Sequence, residues 1–412
     1  MLATQRKAAP AFRKTAETFA AEAKALAQQY FVSPEVFAEE QDRIFSKQWV
    51  LVGHQRQLAE AGDYFVAVVA SESLIIVRDK GGELHGFYNV CRHRGTRLRE
   101  DRNGHLSAIQ CPYHAWTYAL DGRLIGAPHM DDVPGFDKSD YPLHRVNLAV
   151  WEGFIFVNLA EAGSLPSILS HSHSSALTGA SRPSLPAGKE RDRRKPDGFV
   201  SLEDWFAPLQ GKFSHWNMSI LQPAKRIEYD VCANWKLMFE NYSECYHCPG
   251  VHPQLQKVSP YDSAENDLRE GPFLGGFMKI NPGKSLTMNG NACAAFVGKI
   301  ENLQQVFYYS IFPNMLLSLH PEYVMVHQLW PQSPERTLIV CDWLFHPDAF
   351  GRKDFRPEDA IEFWDMTNKQ DWHVCELSQQ GIASRAYEPG PYSARESIPA
   401  AWDEYYLRRM KT

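Results

Sequence analysis

Residues 91–114 read CRHRGTRLREDRNGHLSAIQCPYH, and this stretch decides how the first half of the chain is organised. Cys91-x-His93 is followed, after seventeen intervening residues, by Cys111-x-x-His114. Two such pairs on neighbouring β-loops can hold a compact metal centre from opposite sides. A [2Fe–2S] cluster with Cys91 and Cys111 on one iron and His93 and His114 on the other fits these residue types. Neutral imidazole in place of thiolate lowers the negative charge on such a cluster, which raises its potential and suits it to accept electrons from a reductase. A Cys2His2 set also suits tetrahedral zinc, but zinc sites usually bring like ligands together in sequence, whereas these alternate.

Outward from the two loops, the sequence between Trp49 and Leu159 breaks into short strands. WVLVGH, YFVAVVA, SLIIVRD, LHGFYNV, LSAIQC and FIFVNL are rich in β-branched and aromatic residues, with Asp-Gly and Gly-Gly punctuation between several of them. An all-β domain is expected over residues 47–162, preceded by an N-terminal helical segment over residues 1–46 that packs on the catalytic domain. Residues 163–199 are dominated by Ser, Pro and Gly and end in a mixed-charge run, the composition of a linker or surface loop. His171 and His173 fall inside it and read as solvated side chains. From residue 200 to 412 long strands (RIEYDVCANW, QVFYYSIF, MLLSLH, YVMVHQLW, TLIVCDWLF) are mixed with helical stretches, which predicts an α+β domain with an antiparallel sheet. PEDAIEFWDMTNKQDWHVCELSQQG, opening on proline and acids, reads as a long helix.

A second group of ligands lies in Glu240-Asn241-Tyr242-Ser243-Glu244-Cys245-Tyr246-His247, followed by Pro249-Gly250 and His252. If the helix runs through this segment, Glu240, Glu244 and His247 share one face. The Pro-Gly pair then turns the chain so that His252 approaches His247. Two histidines with one carboxylate, leaving open positions, form the facial triad of non-haem Fe(II) oxygenases.

The residues around both groups, CRHRG, CPYHAW and E-N-Y-x-E-x-Y-H-x4-H, together with the entry segment SPEVFAEEQDRIFSKQWVLVGH, resemble the oxygenase (alpha) subunits of Rieske non-haem iron oxygenases. The resemblance covers nearly the whole chain. It implies a helix-grip, START-like catalytic domain and a mononuclear Fe(II) held by His247, His252 and Asp371. Asp365, Glu362 and Glu376 are the competing acids on the same helix. It further implies that Glu244 bridges to the cluster histidine His114 of the partner subunit in a homotrimer, so Glu244 and Asn241 are the candidate catalytic residues. Glutamate rather than aspartate at 244 resembles the choline, glycine betaine and carnitine monooxygenase branch. The expected activity is that of a terminal oxygenase, a monooxygenase or dioxygenase that uses O2 and reductase-derived electrons. Its expected substrate is a small methylated or quaternary ammonium compound, hydroxylated or oxidatively N-demethylated. The alternative is hydroxylation or O/N-dealkylation of an aromatic compound. A trimethylammonium group calls for aromatic faces, and Phe307, Tyr308, Tyr309 and Trp330 lie on expected strands.

The bulk properties agree with such an enzyme. At 412 residues the chain is long enough for two cores, and a net charge of −6 gives no electrostatic reason to expect nucleic acid or a membrane surface as partner. No Gly-rich dinucleotide fingerprint follows a strand, so NAD(P)H is expected to deliver electrons through a separate ferredoxin or flavin/iron–sulfur reductase. The basic N-terminal sixteen residues lack acids but also lack serine, and read as a helix and tail. Eight cysteines make a low density. Those outside the cluster motif (Cys232, Cys245, Cys248, Cys293, Cys341 and Cys375) read as reduced thiols, consistent with a cytoplasmic protein.

Overall fold

Apolar and β-branched runs separated by tight turns build two β-rich halves. The computed structural model describes residues 23–160, 199–294 and 304–411. The expected linker residues 163–198, with His171 and His173, and residues 1–22 lie outside them.

The first half contains three small antiparallel sheets, the second and third of which share a core with Cys91 and Cys111. One orders strands Val50–His54, Phe154–Asn158 and Asn147–Trp151; a second orders Leu84–Tyr88, Glu72–Arg78, Asp63–Val69 and Asn103–His105; a third orders Ile109–Gln110, Thr117–Tyr118 and Leu124–Gly126. The first candidate loop leaves strand Leu84–Tyr88, and the second is the turn joining Ile109–Gln110 to Thr117–Tyr118. The short strands at Asn103, Thr117 and Leu124 carry too few residues for an alternation pattern to be visible in sequence.

The second half is organised by a seven-stranded antiparallel sheet. Its spatial order is Gln222–Val231, Arg336–Phe345, Val324–Ser333, Met315–Leu319, Gln305–Ile311, Phe273–Lys279 and Glu265–Leu268. One face packs on the helices Trp235–Tyr242, Pro357–Ile382 and Ser397–Lys411, in a core that includes Trp235, Phe239, Leu316, Met325 and Trp402. The opposite face carries Tyr309, Ile311, Leu317 and Val326 against Leu51, Phe154 and Phe156 of the first half. Across this junction Asn314 accepts from Leu51 N and donates to Leu51 O, both at 2.9 Å, closing a backbone pair that would otherwise be buried unmet.

Two strands of the large sheet, Phe273–Lys279 and Glu265–Leu268, were not expected from sequence. Gly275 and Gly276 interrupt the first, and they are required there. A Cβ on Gly275 would meet Tyr308 O at 2.0 Å, and one on Gly276 would meet Glu265 O at 1.9 Å.

The N-terminal helix expected through Phe31 is not continuous among the described residues. Residues 23–27 are not helical, with Ala25 N bonded to Gly390 O at 3.0 Å and Lys24 bridged to Pro391, and Gln28 caps a short helix that begins at Gln29. Tertiary backbone pairing overrides local propensity here. Farther on, Glu40 is fully buried and accepts from Lys236 Nζ at 2.5 Å, Trp235 Nε1 at 2.8 Å and Tyr406 Oη at 2.6 Å, which anchors this segment to the helices.

Candidate active site

The two Cys/His loops close in the same way. Cys91 N donates to Thr96 O and Gly95 N to Cys91 O; Cys111 N donates to Trp116 O and Ala115 N to Cys111 O. At the matching fourth position Gly95 and Ala115 both have positive φ, 75° and 57°. For Ala115 that is a strained conformation, tolerated because the loop over-determines it. The loops thereby bury both thiols and keep the imidazoles toward the surface. The His93 and His114 rings lie 4.8 Å apart, His93 stacks on Trp116, and His114 stacks on Tyr113.

His114 Nδ1 is buried with no hydrogen-bond partner, and burial raises the Cys91 thiol above its ordinary range. The unmet imidazole nitrogen fits a bound cluster, which would use its lone pair; burial by itself opposes the thiolates, which the positive charge of the bound irons would have to hold. The Tyr118 hydroxyl accepts from Arg92 N at 3.0 Å and lies 3.3 Å from Cys91 Sγ, so its own proton is directed at the sulfur. Such a donor stabilises a thiolate and raises the potential of a cluster. The sequence offered no signal for it.

The second group converges in the other half. His252 Nε2 lies 2.8 Å and His247 Nε2 lies 3.3 Å from the same atom, Asp371 Oδ1. Both rings are held from behind: His247 Nδ1 meets Glu244 Oε1 at 2.6 Å, and His252 Nδ1 meets Gln370 Oε1 at 2.8 Å. An acceptor behind each Nδ1 makes it an N–H nitrogen and aims Nε2 at Asp371, the arrangement by which metal-binding histidines are oriented; Nε2 would give its lone pair to a metal and, when protonated, donates to the carboxylate. Burial alone would raise the Asp371 carboxyl, but hydrogen bonds from His247 and His252 hold it below its usual range. Burial likewise opposes charge on His247, yet Asp371 and Glu244 raise its pKa to about 10. A proton therefore stands where a cation would be bound, and the donor set suits Fe(II). Cys248 Sγ is near the two histidines as well, but its sulfur is joined to Cys245 and is not free as a thiolate.

Two of the three competing acids are engaged elsewhere, and the third, Glu362, is exposed. Asp365 accepts from Tyr229 and pairs with Lys369, and Glu376 accepts from Cys232 N. The long helix Pro357–Ile382 presents Trp364, Thr367, Asn368, Asp371 and Trp372 to one cavity, following its 3.6-residue period. Asn241, Glu244, Tyr308, Phe277 and His327 complete much of its wall, and among the described lining residues there is no Lys or Arg. Of the four aromatic residues singled out on expected strands, only Tyr308 reaches this cavity. Phe307 and Tyr309 alternate to the opposite face of the sheet, where they pack in the core shared with the first half. Trp330 packs against the helical core instead.

Two local expectations need correction. The helix does not run from Leu237 to His247; it ends at Tyr242, and a second, four-residue helix spans Cys248–Val251. Glu244 Oε2 captures the N–H groups of Tyr246 and His247, a local bond that competes with helix continuation. Glu240 consequently does not share a face with Glu244 and His247, and lies half-buried beside Asp403. Pro249 and Gly250 do not break a helix either, since they lie inside the short one, where proline suits the first turn. The second correction concerns Cys245 and Cys248, expected as reduced thiols and joined here in a disulfide. The Cys-x-x-Cys spacing, which puts their Cα atoms 5.0 Å apart, is the sequence signal for that bond.

Two family models match the chain, a Rieske [2Fe-2S] domain over residues 48–137 and a ring hydroxylating alpha subunit (catalytic domain) over residues 218–412. The chain is 31% identical over 405 residues to the glycine betaine monooxygenase oxygenase subunit of Chromohalobacter salexigens, covering 89% of this chain and 81% of that one. It is 32% identical over 363 residues to the carnitine monooxygenase oxygenase subunit of Acinetobacter baumannii, covering 87% and 85%. Among solved structures it shares the fold of a quaternary ammonium Rieske monooxygenase (TM-score 0.74, 24% identity, 95% and 96% covered). Naphthalene 1,2-dioxygenase from Rhodococcus sp. has the same fold, with a TM-score of 0.68, 21% identity, and 93% and 94% covered.

Proposed function

The chain belongs to the Rieske non-haem iron oxygenases as an oxygenase (alpha) subunit, and from that premise we propose that it hydroxylates or oxidatively N-demethylates a small methylated or quaternary ammonium compound. Enzymes of this family carry a [2Fe–2S] cluster and a mononuclear iron and draw electrons from a separate reductase. When bound, the cluster supplies single electrons and the mononuclear iron supplies the oxygen chemistry at a C–H bond.

In this reading Cys91, Cys111, His93 and His114 hold the cluster, and His247, His252 and Asp371 hold the mononuclear iron. The support is the burial of the thiols, the unmet His114 Nδ1, and the approach of both imidazoles to one Asp371 oxygen. Glu244 keeps the His247 ring in place through Nδ1. Its carboxylate retains lone-pair capacity to accept from His114 of the partner subunit in a cyclic homotrimer. Asn241 lines the cavity beside it and would orient the reacting group.

The observation that carries the substrate class is the cavity wall itself. Tyr308, Trp364, Trp372 and Phe277 contribute aromatic rings, the acids Glu244 and Asp371 lie among them, and no described lining residue is Lys or Arg. Ring faces and acids attract a fixed positive charge. Hydroxylation of an N-methyl carbon gives a hemiaminal, which releases formaldehyde and the demethylated amine.

The test is a substrate panel with reductase, NAD(P)H and O2, reading formaldehyde. Trimethylammonium compounds should be turned over while their neutral tert-butyl isosteres are not. Equal turnover of the isosteres, or preference for aromatic methyl ethers, would overturn the substrate class.

A further inference from the structure

One polar ring on the cavity wall has no role in holding metal. His327, on strand Val324–Ser333, is 1% exposed and lines the cavity, with its ring edge-on to Tyr242 and Trp372. Its Nε2 lies 3.3 Å from Asn368 Oδ1, while its Nδ1 is buried without a partner.

The tautomer follows from a chain of hydrogen bonds that begins at a carboxylate. Asp365, paired with Lys369, can only accept, so the Tyr229 hydroxyl at 2.9 Å donates to it. Having given its proton to Asp365, the Tyr229 oxygen accepts from Asn368 Nδ2 at 3.4 Å. That fixes the amide with its oxygen toward His327, and the oxygen requires the proton of a neutral His327 to sit on Nε2. Burial keeps the ring neutral, pushing its pKa down to about 4 against the opposing Asn368 bond. The remaining Nδ1 is then a lone pair on a ring that lines the cavity, with no donor among the described residues.

Resting on the proposed reading of this cavity as the substrate site, we infer that His327 is a specificity-determining residue that accepts a hydrogen bond from an O–H or N–H group of the substrate. A buried acceptor left unmet is costly, so a substrate carrying a donor gains where one lacking it loses. An ether at the same place would set oxygen lone pairs against the Nδ1 lone pair. The preferred ammonium substrate is therefore an amino alcohol or a compound with an equivalent donor.

Matched pairs decide the matter, each a hydroxyl compound and its O-methyl ether. One pair is a trimethylammonium ethanol with its ether; the other is an aromatic phenol with its ether. The wild-type enzyme should favour the hydroxyl member in kcat/KM by about tenfold or more, the scale of one hydrogen bond in a buried site. His327→Leu should reduce that preference to within about twofold, and His327→Gln, which keeps an acceptor, should retain part of it. Tyr229→Phe removes the first link without altering a described lining residue, so it should weaken the preference while both iron centres stay loaded. Equal wild-type rates within the reacting pair, or a preference that survives His327→Leu, would overturn the assignment. Oxidation of the aromatic pair alone would sink the ammonium reading, and the hydroxyl preference within that pair would still decide the role of His327. Should His327→Leu not fold, Tyr229→Phe and His327→Gln decide that role in its place, and an undiminished preference in both would overturn it.

Discussion

Gln370 is next to Asp371 in sequence, yet no ligand motif points to it. Its amide oxygen accepts from His252 Nδ1 at 2.8 Å and so aims the Nε2 of that ring at Asp371. Gln370→Leu removes the acceptor while keeping most of the volume. Removing an outer partner of a metal-binding histidine typically costs ten- to a hundredfold in metal affinity, or roughly 1.4–2.7 kcal/mol. Gln370 is a neutral acceptor, and hydrogen bonds to charged acceptors are about twice as strong. The loss expected for Gln370→Leu is therefore near the lower end, about tenfold. Glu244→Ala, which removes a carboxylate from His247 Nδ1 and two backbone bonds in the same turn, should fall near the upper end. Fe(II) affinity is measured anaerobically against a competing chelator, with the visible spectrum of the cluster as an internal control, because the cluster residues lie on other loops. Gln370→Glu should restore binding. Wild-type affinity in Gln370→Leu would refute the idea that His252 is oriented from behind.

Other outcomes follow from the same geometry. Cys111→Ser should abolish the visible cluster spectrum, whereas His247→Ala should leave it intact and eliminate substrate oxidation. Those two variants, co-assembled, should regain activity in mixed oligomers, and adding Glu244→Ala to both should suppress the recovery; mixed oligomers that form but stay inactive would exclude electron transfer between subunits. Burial raises the Asp403 carboxyl to about 7, so the folded state holds a proton that the unfolded chain releases from about pH 4 upward. The stability this contributes is complete below pH 4 and lost as pH rises through 7. Asp403→Asn should therefore narrow the gap in melting temperature between pH 5 and pH 8, as read by thermal unfolding at both pH values.

Much of the fold could be read from the chain because long strands advertise themselves. YFVAVVA and SLIIVRD pair as Asp63–Val69 with Glu72–Arg78, and TLIVCDWLF and YVMVHQLW pair within the large sheet. What escaped was short or locally ambiguous. A two-residue strand such as Thr117–Tyr118 has no period, and FLGGFMK hides a strand behind two glycines that its neighbours' backbones demand. The Ala-rich stretch before Gln29 misled in the other direction, because its backbone finds partners at Gly390 and Pro391 that no local rule can foresee.

The candidate site divides along the same line. His247 and His252 were singled out less by their spacing than by the resemblance of the residues around them, and Asp371 by the same resemblance; the three side chains lie together. The group at 240–252 was nonetheless found for a partly mistaken reason, since the helix assumed to align it stops at Tyr242. The spacing works because Glu244 folds its own carboxylate back onto the turn, which delivers His247 to Asp371 without a continuous helix. Residues that orient the ligands or face the substrate are another matter. Tyr118, His327 and Gln370 lie on different elements, and each matters through one atom set against a partner distant in sequence. A histidine at an inward position of a buried strand looks, in sequence, like any satisfied core residue. Only the chain Asp365–Tyr229–Asn368 shows that its Nδ1 is a lone pair with nothing yet to accept.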